Sequence, residues 1–282
     1  MRDGAWKDLL RPGEADDFFA AAPRRPLLAA ARADDLVAAF WCSELARLAY
    51  RDTAAAGRTR ASFLGEVGLC ELGFLDRSGT QCLVVGSAPG AAAPFVVVAF
   101  RGTDQLRDWL TNVQVVPAAF AHGARVHRGF RRAFGHALRP LRALLAAHPA
   151  PLHVCGHSLG GALALLAAPL FGARTVRTFG APRAGDAAFA QLLRDIEVAQ
   201  FATEHDVVPH LPPAGPPLQF RHVVAPVVLR RDGGVGSWAA PGGASEPATP
   251  PDRRWYDPHA WLGEHAPRVY SSRLRRLCQP SG

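Results

Sequence analysis

Residues 152–173 constrain the fold of this chain more than any other stretch. Leu152-His-Val-Cys155 is a short apolar run of strand character, Gly156-His-Ser-Leu-Gly160 forms a tight turn, and Leu159 to Phe171 reads as an uncharged Ala/Leu helix. A strand that turns so sharply into a helix holds its serine in a strained backbone conformation. It also needs small residues at 156 and 160, so that strand and helix can close on each other. Such a bend would lift the Ser158 hydroxyl above the edge of a sheet, with the first amides of the helix aimed at whatever it attacks. The G-x-S-x-G pattern means little alone; the strand before it and the helix after it give it weight.

The surrounding chain repeats this alternation. Asp34 to Tyr50 reads as a helix, with Leu36, Val37, Phe40, Trp41, Leu45 and Leu48 at three- and four-residue spacing. Phe63–Leu75 and Gln81–Val85 read as strands around a turn at Arg77-Ser78-Gly79. Phe95–Phe100 is β-branched and apolar enough for a buried central strand. Residues 128–148 follow as a helix despite Pro140, then Val176–Phe179 as a strand, 186–196 as a helix and Ile196–Ala202 as a strand. Strands alternating with helices indicate a mostly parallel sheet flanked by helices, an α/β fold. Residues 1–33, broken by proline and charge, read as an irregular N-terminal arm. Residues 34–282 read as a single domain with a Gly/Pro-rich surface loop at 231–253.

Apolar residues at 49% and charged residues at 20% suit a compact globular chain and exclude a disordered or fibrous one. The net charge of +8 is almost all arginine, Lys7 being the only lysine, a pattern better explained by GC-rich codon usage than by an anionic partner. The arginines are scattered without interleaved aromatics, so no nucleic-acid partner is expected. The longest uncharged apolar stretch, Leu159–Ala173, falls short of the roughly 20 residues that span a bilayer. Arg2, Lys7 and Arg11 stand among acidic residues with no apolar run behind them, unlike a signal peptide. Cys42, Cys70, Cys82, Cys155 and Cys278 lack metal-ligand spacing and read as free thiols. The expectation is a cytoplasmic protein with no metal and no transmembrane segment.

Phe100-Arg-Gly-Thr103 with Asp108-Trp109, His127-Arg-Gly-Phe130, Gly156-His-Ser-Leu-Gly-Gly161, Thr178-Phe-Gly-Ala-Pro-Arg183 with Gly185-Asp186, and Asp206-Val-Val-Pro209 occur in that order. Through these landmarks, over roughly residues 36–275, the sequence resembles the class 3 lipase family. The resemblance implies an α/β-hydrolase fold, hydrolysis of carboxylic esters and no required cofactor.

A serine hydroxyl needs an imidazole to take its proton and a carboxylate to orient that imidazole. In this fold they follow in the order serine, acid, histidine. Asp206 follows a strand-like segment and aligns with the family's aspartate before a Val-Pro pair; Glu204 is its nearest competitor. Of His205, His210, His222, His259 and His265, the last lies in Glu264-His-Ala-Pro-Arg-Val-Tyr270. That segment resembles the family's terminal acidic–His segment, with Glu264 where aspartate is commoner. His259 in Asp257-Pro-His259 stays as the alternative base. Leu159 offers one oxyanion amide, and the resemblance adds the amide and hydroxyl of Thr103. Leu106, Trp109, Leu110 and Val113 fall on one face of a helical segment at 104–113, which in the family forms a lid; an ordinary surface helix has the same pattern. The expected substrate is a lipid ester, an acylglycerol first, met at a transient lipid–water interface. A phospholipase A-type hydrolase or an acyltransferase would use the same triad. A non-catalytic binding protein on this scaffold is the contrasting class, and the presence of all three triad candidates disfavours it.

Overall fold

An eight-stranded sheet organises the chain in the computed structural model, which describes residues 12–20, 22, 35–51, 57–103, 116–214, 219–238 and 263–279. The sheet strands are β1 (Leu69–Arg77), β2 (Thr80–Ser87), β3 (Val96–Phe100), β6 (Leu152–His157), β7 (Thr175–Phe179), β8 (Glu197–Thr203), β9 (Val227–Leu229) and β10 (Val235–Ser237), adjacent in that order. Strands β3, β6, β7, β8 and β9 run parallel, while β1, β2 and β10 add antiparallel edges. A separate ribbon pairs β4 (Pro117–Ala119) with β5 (Arg125–His127). The helices are α1 (Leu36–Leu48), α2 (Arg60–Glu66), α3 (Arg128–Ala146), α4 (Leu159–Phe171), α5 (Ala187–Leu192) and α6 (Pro267–Cys278). This is the α/β-hydrolase fold.

Alternation along the central strands splits the core into two layers. Leu83, Val85, Val97, Ala99 and Cys155 face the layer built with α1 and α6; Val84, Val96, Val98, Phe100 and Val154 face the layer built with α3 and α4. Helix α1 is buried almost all round, from Ala38 to Leu48, because Phe18 and Phe19 of the preceding segment cover it. Asp35 caps it, accepting from the amides of Val37 and Ala38.

Three local expectations change. Phe63 begins no strand: Thr59 accepts from the Ser62 amide and caps α2, and the strand starts at Leu69, after Gly68 turns the chain at φ +74°. The spacing of Phe63, Leu64 and Val67 belongs to a helical face rather than to alternation. Residues 231–234 are the turn of a hairpin joining β9 and β10, with Gly233 at φ +90°; Asp232-Gly233 is a hairpin signal in its own right. Residues 239–253 of the expected loop lie outside the described residues. The helix expected over 186–196 spans only Ala187–Leu192, capped by Asp186. Among the described residues, no helix is long and apolar enough to cross a membrane.

Candidate active site

Ser158 stands between β6 and α4 with φ 57° and ψ −130°, outside the regions open to ordinary L-residues. Holding a non-glycine residue there costs about 1–3 kcal/mol, which the surrounding packing must offset. Close approach of strand and helix supplies that packing. A Cβ on Gly156 would lie 2.2 Å from the Gly160 carbonyl oxygen, and one on Gly160 would lie 2.3 Å from that of Phe100. The backbone twist also changes what the serine does. As the residue capping α4, a serine ordinarily turns its hydroxyl back onto helix amides, yet Ser158 makes no such capping bond. Its Oγ is buried with no hydrogen-bond partner among the described residues.

The candidate acid and base, Asp206 and His265, meet at the carboxyl ends of the parallel strands. Asp206 follows β8, and His265 immediately precedes α6. Nδ1 of His265 lies 2.7 Å from Oδ2 of Asp206, and both side chains are buried. The Tyr270 hydroxyl donates to the same Oδ2 at 2.5 Å, and the Val208 amide donates to Oδ1 at 2.9 Å. Burial and the Asp206 charge push the Tyr270 phenol well above its ordinary pKa, so it remains a donor. With Nδ1–H committed to Asp206, Nε2 of His265 is the free acceptor; it too is buried without a partner among the described residues. Two measurements put this ring beside the serine turn. The neighbouring His157 reaches the His265 carbonyl oxygen at 2.7 Å, and the two imidazoles are 4.6 Å apart. The Ser158–His265 hydrogen bond itself is not formed, as often holds before substrate is bound.

Glu264 is tied to the same framework. Its carboxylate bridges Arg273 of α6 at 2.8 Å and Arg231 at 2.7 Å, and its carbonyl accepts from Thr203 of β8 at 3.1 Å. The competing candidates are occupied elsewhere. Glu204 accepts from the Arg231 amide at 3.0 Å. His210 stacks on Trp238 at 4.4 Å, and His222 is bonded to Gln200 and to the Pro209 carbonyl. Burial pushes His210 down to about 4 and His222 to about 3, leaving both neutral. His259 lies outside the described residues.

The Ser158 amide donates to the Phe179 carbonyl of β7 at 2.9 Å, fixing the turn to the next strand. Leu159 opens α4, and Thr103 ends the described loop after β3; a Cβ on the intervening Gly102 would lie 3.0 Å from the Ser158 Cβ. The loop carrying Thr103 therefore flanks the serine. Leu106, Trp109, Leu110 and Val113 lie outside the described residues. Sequence reasoning missed Tyr50 and left His157 and Tyr270 without roles. Tyr270 carried a faint signal, its five-residue spacing from His265, whereas nothing local marked the others. Among the described residues, no group of His, Cys, Asp or Glu could hold a metal ion.

The family description "Lipase (class 3)" matches residues 97–215, from β3 through Asp206. A lipase of Rhizomucor miehei is 34% identical over 145 residues, covering 45% of this chain and 40% of its own. Secreted mono- and diacylglycerol lipase 1 of Fusarium solani is 32% identical over 163 residues, covering 49% of each chain. The chain thus spans less than half the length of these curated relatives. The crystal structure of a lipase from Rhizopus microsporus var. chinensis superposes with a TM-score of 0.57 at 20% identity, over 89% of this chain and 91% of that one, a likeness of fold. The cytoplasmic expectation is overturned by the secreted relative. It rested on the lack of a signal-peptide pattern, with reduced cysteines in keeping, and Cys42, Cys82 and Cys155 are buried free thiols whose state says little about a compartment. Over residues 97–215 the chain matches the class 3 lipase family, and around that stretch it shares the α/β-hydrolase fold of solved lipases.

Proposed function

We propose that this chain is a serine hydrolase of lipid carboxylic esters, acylglycerols first, with Ser158 as nucleophile, His265 as base and Asp206 as the orienting acid. The observation that carries the reading is the fully satisfied Asp206 carboxylate. It holds His265 Nδ1–H, so that the other ring nitrogen is an acceptor next to a serine whose hydroxyl caps nothing.

Ser158 Oγ attacks the ester carbonyl while its proton passes to His265 Nε2. The imidazolium so formed is stabilised by Asp206. Negative charge develops on the carbonyl oxygen, where the Leu159 amide and the amide and hydroxyl of Thr103 receive it; one such donor is worth about 2.7–4 kcal/mol. His265 then protonates the leaving alcohol, and water activated by the same ring releases the acyl group from Ser158. The name of the Fusarium solani relative, a mono- and diacylglycerol lipase, supports acylglycerols as the ester class.

A fluorophosphonate probe on the full chain should label Ser158, and Ser158→Ala should lose both label and turnover of nitrophenyl butyrate at an unchanged melting temperature. A wild-type chain that neither labels nor turns over would leave only a binding protein. Graded acylglycerols against phospholipids then decide the lipid class, and added alcohol acceptor decides hydrolysis against acyl transfer.

A further inference from the structure

A line of hydrogen bonds outside the triad runs from the loop after β3 to the backbone of His265. Tyr50, just beyond α1, places its hydroxyl 3.0 Å from the Gly102 amide nitrogen and 2.9 Å from Nδ1 of His157. Nε2 of His157 lies 2.7 Å from the His265 carbonyl oxygen. Tyr50 is 7% exposed and His157 3%.

Chemistry fixes the direction of every bond. A carbonyl oxygen only accepts, so His157 carries a proton on Nε2. Burial, reinforced by His265, holds the His157 pKa well below its ordinary value; the ring is neutral and Nδ1 is bare. Tyr50 must then donate to Nδ1, and burial raises its pKa and keeps the phenol protonated. Its oxygen accepts from Gly102 N–H. One arrangement satisfies all these atoms, so the line has no alternative direction to flip into.

The space around Gly102 shows what the line positions. A Cβ there would sit 2.2 Å from the Tyr50 oxygen, 2.9 Å from the His157 carbonyl oxygen and 3.0 Å from the Ser158 Cβ. Gly102 is therefore wedged between the phenol and the serine turn, and Thr103 is the next residue. His157 sits on the face of β6 that carries Cys155, toward α1 and α6, so a single ring can reach Tyr50 on one side and His265 on the other.

We propose that Tyr50 and His157 are positioning residues that hold the Gly102–Thr103 backbone in register with His265, so that oxyanion donor and base address one carbonyl. The proposal rests on the reading of Ser158 as nucleophile. It explains why the variable position of the G-x-S turn carries an imidazole: the site needs an acceptor on one edge of a flat ring and a donor on the other.

Tyr50→Phe removes one oxygen and keeps the ring, so the fold should survive. Its kcat should fall about 10- to 100-fold, the scale of a small misplacement of a catalytic group. KM should stay unchanged, and the inhibition constant of benzeneboronic acid, which forms a tetrahedral adduct on the serine, should rise in step with the loss of kcat. On a His157→Ala background the same substitution should add almost nothing, because the line is already cut. His157→Gln, which keeps a donor for the His265 carbonyl, should recover part of the His157→Ala loss. Unchanged kcat and boronate affinity in Tyr50→Phe, or a loss confined to KM, would overturn the proposal while leaving the triad standing. A wild-type chain inert to both fluorophosphonate and esters would overturn the triad reading and this one together.

Discussion

Each oxygen of Asp206 is claimed by a donor, Oδ1 by the Val208 amide and Oδ2 by His265 and Tyr270. A buried carboxylate so held is fixed in place without water, and it thereby fixes which His265 nitrogen faces the serine. Tyr270→Phe removes a charge-assisted bond worth about 1.5–3 kcal/mol. A thermal melt should show that loss together with a lower kcat, because the carboxylate becomes freer to rotate; an unaltered melt would show the bond contributes nothing. His265→Ala should reduce nitrophenyl ester turnover by about 10⁴ to 10⁶, the scale seen when a triad member is removed. His259→Ala should leave turnover intact, and the opposite result would move the base. The strained turn at Ser158 was legible in the sequence because its signal is local: strand, bend and helix occupy one short stretch. That Asp206 and His265 would meet was legible only with the order of motifs as a guide. The parts played by Tyr50 and His157 were not legible, since they bond partners 52 to 108 positions away in the chain.

Helix α6 and the residues just before it bring His265 to the sheet, and a buried ion pair anchors them. Glu264 and Arg273 are 6% and 4% exposed, and Arg273 also donates to the Leu229 carbonyl of β9 at 2.8 Å. Glu264→Ala would leave the Arg273 guanidinium buried without its carboxylate, a loss of about 3–5 kcal/mol. Urea denaturation should register it, and a change of a few tenths would mean that Arg231 and Arg273 are not anchored by this residue. The central strands were readable to within a residue or so, because continuous β-branched runs admit few other readings. Helix α6 was not: Arg268, Arg273, Arg275 and Arg276 interrupt its apolar face, and only contact with α1 reveals that Tyr270, Arg273 and Leu274 point inward. The same limit applied to α2, where an apolar cluster near a cap admits strand and helix equally until tertiary contacts choose.

Besides His157, three buried histidines among the described residues give the molecule a pH response apart from catalysis. Burial, aided by Arg177 and Arg174, lowers His153 from 6.5 to about 4; burial aided by Arg183 lowers His210 to about 4 and His222 to about 3. The unfolded chain takes up protons at these positions below about pH 6.5, whereas the folded chain resists until pH 3–4. Their contribution is therefore complete above pH 6.5 and is lost as pH falls toward 4, at up to about 1.4 kcal/mol per pH unit for each. The urea midpoint should drop between pH 7 and pH 5, and His222→Gln should make that drop shallower; an identical slope would remove His222 from the account. The packing of α1 against α6 has a further consequence for biosynthesis. Translation delivers Ser158 more than a hundred codons before His265, and α1 waits still longer for the helix that covers it. On the proposed triad, a nascent chain whose α6 still lies in the ribosome tunnel has Ser158 but not yet a seated His265 to activate it. Competence on that triad therefore waits for the same segment that completes the packing around α1.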